Sequence, residues 1–434
     1  MIFCLMALAV RVLLKLSWQN TLDRWRWLLR APLHRLAWGV FQLVDMMFRL
    51  SGKGHAMLPP AEGSDHPLRS EALSHLATDL TSSAHDLHRR VVASAVRNAD
   101  TRRRLLAIRL QQRSTATAPE LPPILWIIGL PRTGSTFLHR LLSLSGDVYA
   151  PVAWELRHPT EASTGGDEAA SRAKAFRRQL AYFYRFAPRL RRIHHITFDG
   201  PDECVNAFVD CCFPDWYLWG AIDMPRLHQW YLQTSMLPQY ERYKQILQLL
   251  FSQFTGFTGR DKKIPALLVL KAPHHIVKLR DIAETFPRSY FLWLHRHPAD
   301  IVGSCCEMNE AIRDYCSPHY CSRSVLGHRT LHRLAVAAAT GVKDRHELEN
   351  KGVIFFDVPY REVTHDAIAC VAKIGELCKQ CLSLQEKDLS RWQKRPRDGP
   401  CQNRSNRLAA FELTDRDVRS AFREYLDKYS CWLY

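Results

Sequence analysis

Residues 124–142 read Ile-Leu-Trp-Ile-Ile-Gly-Leu-Pro-Arg-Thr-Gly-Ser-Thr-Phe-Leu-His-Arg-Leu-Leu, and few folds accept such a run. The apolar stretch 124–128, following Pro122-Pro123, predicts a buried parallel strand. A tight loop, Gly129-Leu-Pro-Arg-Thr-Gly134, leads into Ser135-Thr136 and a helix with apolar residues at Leu138, Leu141 and Leu142. Strand, glycine loop and helix start together form an anion cradle. Successive backbone N–H groups converge there, and the helix dipole adds partial positive charge. The glycines stand where a Walker A loop has them, but the position after the second glycine is Ser135 and the basic residue is Arg132. Cleaving a β–γ phosphate bond needs the Walker lysine and a Mg²⁺ site. This loop suits one phosphate with a charge beside a different leaving group.

Two later segments repeat a strand-to-helix rhythm. Leu267-Leu-Val-Leu-Lys-Ala-Pro-His-His275 precedes a helix ending near Phe286, and Tyr290-Phe-Leu-Trp-Leu-His-Arg-His-Pro298 precedes another. Each apolar strand ends in a basic residue, Lys271 or Arg296, as in the βαβ units of a parallel sheet. Strand C-termini in such sheets face the ligand crevice, so both cations are expected beside the glycine loop. The fold class is α/β, a P-loop three-layer fold with a central parallel sheet and extensive flanking helices. A helix over 324–348, a buried strand over 352–356 and a terminal helix over 414–429 complete it.

Gly129-Leu-Pro-Arg-Thr-Gly-Ser-Thr closely resembles the 5′-phosphosulfate loop of the PAPS-dependent sulfotransferases, nearest the bacterial G-L-P-R-[ST]-G-[ST]-T branch and the tyrosylprotein sulfotransferases. The resemblance covers about residues 84–429. It implies transfer of a sulfuryl group from PAPS, without a metal, to a hydroxyl on a small molecule, glycan, lipid or protein tyrosine. It assigns Arg132, Thr133, Gly134, Ser135, Thr136 and Phe137 to cofactor binding. Arg296 and Ser304 match the Arg-x₇-Ser spacing that binds the 3′-phosphate. Lys271 matches the lysine that stabilises the transferring sulfuryl group, with Arg132 as a second cation. Glu155, in Asp147-Val-Tyr-Ala-Pro-Val-Ala-Trp-Glu155, matches the general base on the segment after the P-loop helix, here expected to be extended. An alcohol attacking sulfur must lose its proton as the new bond forms, which a desolvated carboxylate can take. His194, His195 and Glu203 compete for that role, or cap a helix or line an acceptor pocket instead. Arg404 and Arg407 lie in a basic stretch where relatives close over the nucleotide, although the local sequence departs from the family pattern. Asn403-Arg-Ser405 is also a glycosylation sequon.

The chain of 434 residues carries a net charge of +17, a field that favours polyanions. No zinc spacing, RNP-type motif or helix-turn-helix signature accompanies it, so nucleic acid is not an expected partner. The 13 cysteines are dispersed, and most are expected to be buried and reduced. Trp216, Tyr217, Trp219, Trp230 and Tyr231 suit core packing first and a flat acceptor second. Residues 1–50 form a hydrophobic, amphipathic segment with Trp, Leu and Arg interleaved. It suits a helix lying on a membrane, a helix packed on the catalytic domain, or an uncleaved signal anchor. The first or third would place the enzyme on the cytosolic face or in a Golgi-type compartment. A linker over 51–66, a helical lead-in over 67–118 and the catalytic domain over 119–434 follow. A P-loop kinase or NTPase and a non-catalytic membrane-associated nucleotide binder remain as alternatives.

Overall fold

The computed structural model describes residues 68–82, 96, 102–104, 106–108, 110–111, 118–159, 166–208, 223–255, 263–316, 321–380, 382, 384 and 404–433. The N-terminal segment 1–50, the linker, Cys211-Cys212, Trp216, Tyr217, Trp219 and Asn403 lie outside the described residues. Among the described residues, no helix is long and apolar enough to cross a membrane.

Five parallel strands make the sheet: β1 (Ile124–Ile128), β2 (Val148–Tyr149), β3 (Leu267–Lys271), β4 (Ser289–His295) and β5 (Ile354–Pro359), in the order β2-β3-β1-β4-β5. The α/β layering expected from the sequence is what the chain adopts. Side chains of β1 alternate between two apolar layers, as a strand's period of two requires. Ile124, Trp126 and Ile128 join one layer with Tyr240, Tyr243 and Leu247 of the helix Leu237–Thr255. Leu125 and Ile127 join the other, with Leu138, Leu141 and Leu142 of the helix Ser135–Leu142 and Cys370, Val371 and Ile374 of the helix Ala367–Leu377. All five β1 residues are buried. At about 1.5–3 kcal/mol for each large apolar side chain, that burial holds the central strand in place.

The strand order sets the site. From β1 the chain crosses to β2 on one side, and from β4 it crosses to β5 on the other. The adjacent C-terminal ends of β1 and β4 therefore flank a topological switch point, where such sheets bind ligands. The end of β4 is pinned from behind. The neutral His295 ring donates from Nε2 to Asp357 Oδ1 at 2.7 Å and accepts from the Tyr425 hydroxyl at Nδ1, 2.8 Å away. Arg345 forks onto both oxygens of Asp357 at 2.5 and 2.8 Å, with its guanidinium against the Trp293, Phe355 and Tyr429 rings. Burial raises the Asp357 carboxyl, but Arg345 and His295 outweigh it and leave it at about 2.

Three expectations are modified. The segment after the P-loop helix is extended for only two residues, and Glu155 lies in the short helix Ala153–Arg157. The last strand is an edge, not a buried one: among the described residues its only partner is β4, and Ile354 is 46% exposed. The terminal helix is two pieces, Asp415–Ala421 and Arg423–Tyr429, parted at Phe422 (φ −105°, ψ 20°). A buried Phe422 marks the bend, after which Tyr425 reaches His295. Trp230 and Tyr231 are core residues, as first expected. The Trp230 indole bonds Glu71 at 2.9 Å, and Tyr231 lies under the Lys278 ammonium.

Histidines around the sheet are held neutral. Burial pushes His139 and His274 down to about 3, and it also lowers His275 and His295. These folded values lie below the unfolded value, so the unfolded chain gains protons first as pH falls through about 6.5. Stability is therefore complete above that pH and lost below it, by about 1.4 kcal/mol per pH unit for each histidine kept neutral. Urea midpoints should fall steeply between pH 7 and pH 5. A flat profile would show that these rings take up protons in the folded protein.

Candidate active site

The loop after β1 turns on left-handed backbone. Gly129, Arg132 and Gly134 have φ of 128°, 69° and 84°. At Gly129 a Cβ would stand 2.8 Å from the Leu294 carbonyl oxygen, because β1 and β4 run side by side. At Gly134 it would meet the Tyr360 ring at 3.0 Å. The Thr133 hydroxyl donates back to the Leu130 carbonyl at 2.9 Å and closes the turn. Gly134 caps the helix Ser135–Leu142 and offers it no side-chain acceptor. The first N–H groups of a helix have no intrahelical partner, so those of Ser135 and Thr136 remain for an anion.

On the β4 side, Arg296 NH1 donates to the Arg132 carbonyl at 2.7 Å, and its guanidinium lies 4.3 Å from the Tyr360 ring centre. Arg132 Nε donates to Ser304 Oγ at 2.9 Å, and NH1 donates to the Ile193 carbonyl at 3.1 Å. Arg407 packs nearby: a Cβ added at Gly303 would stand 3.0 Å from the Arg407 Cβ, and Arg407 pairs with Glu307 at 3.3 Å. On the β3 side, Lys271 Nζ donates to Thr136 Oγ1 at 3.1 Å and to Glu203 Oε1 at 2.7 Å, with Lys271 and Glu203 both buried. Arg132, Thr136, Lys271, Arg296 and Ser304, expected together from the sequence, are joined through the loop. Phe137 is half-buried and packs into the layer beneath.

The two glutamates are arranged differently. Glu155 Oε2 accepts from the Val152 N–H at 2.9 Å, capping its own helix, and from the Tyr149 hydroxyl at 3.1 Å. Gln253 donates to that hydroxyl at 3.3 Å. Glu203 is brought in by a short antiparallel bridge: Val152 pairs with Pro201, Ala153 N–H donates to the Gly200 carbonyl, and Asp202 N–H donates to the Pro151 carbonyl. Asp202 then accepts from the Glu203 N–H at 2.8 Å. His194 is half-buried and feels the charges of Glu203, Lys271 and Arg132. Burial is the main cause of its low value, about 4, and the cations add to it.

Sequence reasoning missed Arg102 and Tyr360. Arg102 lies in the sequence run Arg102-Arg-Arg104, yet its guanidinium donates to the Leu156, Arg157 and Asn206 carbonyls. It thereby ties the Glu155 helix to the turn Cys204–Ala207 that follows Glu203. No local pattern distinguishes a cation spent on distant carbonyls from a solvated one.

A parallel sheet with a glycine loop after its central strand, and a cation after each neighbouring strand, defines a P-loop α/β protein. The sulfotransferase family model matches residues 123–381, more than half of the 434, and the chain belongs to the sulfotransferase family. Sulfotransferase STF9 from Mycobacterium avium is similar in structure, with a TM-score of 0.70 at 21% identity, covering 88% of this chain and 96% of that one. Sulfotransferase STF1 from Mycobacterium tuberculosis H37Rv is also similar, at 0.69 and 19%, covering 89% and 98%. At such identities these likenesses show the fold. No curated protein matches the sequence.

Gly134→Ala should lower stability by about 1–2 kcal/mol, the cost of a left-handed L-residue, plus the clash with Tyr360. Adding Tyr360→Ala should relieve only the steric part of the extra loss, as read by urea denaturation in a double-mutant cycle. An unchanged midpoint in Gly134→Ala would contradict the loop geometry.

Proposed function

We propose that the chain transfers a sulfuryl group from PAPS to a hydroxyl acceptor by in-line displacement. One observation carries this reading: a single loop has a cation from each neighbouring strand against it, Lys271 at Thr136 and Arg296 at the Arg132 carbonyl. Two anionic groups on one co-substrate fit two such cations better than a single phosphate does. PAPS, when bound, supplies an activated sulfuryl group on a phosphate leaving group. Backbone N–H groups of residues 132–136, with the Ser135 and Thr136 hydroxyls, would hold the 5′ end. Arg296 and Ser304 would hold the 3′-phosphate. Arg132 and Lys271 would neutralise charge as it develops on the sulfuryl and bridging oxygens. The family resemblance assigns the acceptor's proton to Glu155, and Glu203 competes for it by its position beside Lys271. No metal is required, because a sulfuryl group carries less charge than a γ-phosphate.

A kinase or NTPase reading has less support, since Ser135 stands where such enzymes carry the phosphate-reaching lysine. The acceptor is a hydroxyl of a small molecule, glycan, lipid or protein tyrosine.

Lys271→Ala should cost about 2–4 kcal/mol of transition-state stabilisation, about 10²–10³ in kcat, as removed oxyanion donors do. Calorimetric titration should show micromolar binding of the desulfated product PAP, lost in Arg296→Ala, with ATP–Mg²⁺ weak. Tight ATP–Mg²⁺ binding without PAP binding would overturn the assignment.

A further inference from the structure

We propose that Glu203, not Glu155, is the catalytic carboxylate that takes the acceptor's proton, working as a pair with Lys271. The inference rests on the sulfuryl-transfer reading above and names the base within it. Lys271 Nζ lies between Thr136 Oγ1 of the loop at 3.1 Å and Glu203 Oε1 at 2.7 Å. The loop is the donor's cradle, so the residue one hydrogen bond beyond its lysine stands at the reacting end of the site. Glu203 meets that requirement.

Glu155 is already engaged. Its Oε2 accepts both the Val152 amide and the Tyr149 hydroxyl, so this oxygen holds the start of its own helix. Its role is positioning: it caps the turn whose neighbour, Val152, pairs with Pro201 and so aims Glu203. His194 feels Glu203 and Lys271 as well, but desolvation, with lesser help from the cations, brings it to about 4, too low for a good base near neutrality. The ion pair holds Glu203 Oε1 2.7 Å from Lys271 Nζ, which itself touches the loop at Thr136. When negative charge on the donor draws Lys271, the hold on Glu203 weakens as the base is needed.

The step balances. The acceptor's O–H proton passes to Glu203 as its oxygen forms the new bond to sulfur. The bond from sulfur to the bridging phosphate oxygen breaks, its electron pair leaves with PAP, and Lys271 offsets the charge.

The test uses the full chain, PAPS, and a series of phenols and alcohols of graded acidity. Product PAP is read in single turnovers, with water as the acceptor where no added alcohol reacts. Glu203→Gln should keep PAP affinity within about threefold while turnover falls about 10²–10⁴-fold, the range of lost general-base catalysis. The deficit should shrink as the phenol becomes more acidic, and the acid limb of the wild-type pH profile should disappear. Glu155→Gln should lose less than Glu203→Gln. If Glu203→Gln does not fold, judged by its thermal midpoint, Glu203→Asp keeps the charge but shortens the reach, and should show the same split between PAP affinity and turnover. Near-full turnover in Glu203→Gln, an equal loss of PAP affinity and turnover, or a deficit independent of phenol acidity would overturn the assignment. A wild-type chain that neither binds PAP nor forms it from PAPS would overturn the sulfuryl-transfer reading itself, a distinct result.

Discussion

A turn of left-handed backbone between β1 and the helix Ser135–Leu142 sets the position of everything else in the site. Turned this way, the chain presents the Arg132 carbonyl to Arg296 just before the helix begins. Gly129 lets β1 approach Leu294 closely enough for that contact, and Gly134 makes room for the Tyr360 ring beneath Arg296. The loop, β4 and the residues after β5 interlock through backbone positions as much as through charge. A Cys305 thiol against the Pro131 carbonyl fills the space behind them.

Charge is then distributed along the loop. Arg296 and Ser304 serve one end, Lys271 and Glu203 the other, and Arg132 is held between Ser304 and the Ile193 carbonyl. A buried ion pair such as Lys271–Glu203 contributes little net stability, because desolvation offsets the attraction; removing one partner alone costs about 3–5 kcal/mol. The pair stands at a strand end, one hydrogen bond from the glycine loop. The latch of Asp357, Arg345, His295 and Tyr425 is the structural counterpart, spending its charges on fixing the strand that carries Arg296.

Strands β1, β3 and β4 were legible because a strand buried on both faces is a continuous apolar run, and each ends at a residue that marks the crevice. β2 is two residues long and has no period to read. β5 resembled a buried strand because Ile354, Phe355 and Phe356 are apolar, yet among the described residues it is the sheet's edge, with Ile354 exposed. The terminal helix read as one because no glycine or proline marks its break, which lies in the backbone at Phe422. The cations of the site could be read one by one, since each follows a strand. The Lys271–Glu203 pair could not, because it joins residues far apart in sequence through a bridge at Val152 and Pro201. Arg102 was hidden for the same reason.

The most direct test of the central claim is a crystal structure of the full chain with PAP. The 5′-phosphate should lie on the N–H groups of residues 132–136 and the 3′-phosphate at Arg296 and Ser304, with Lys271 still at Thr136. PAP seated away from the β1–β4 switch point, or with the 3′-phosphate at Lys271, would contradict it.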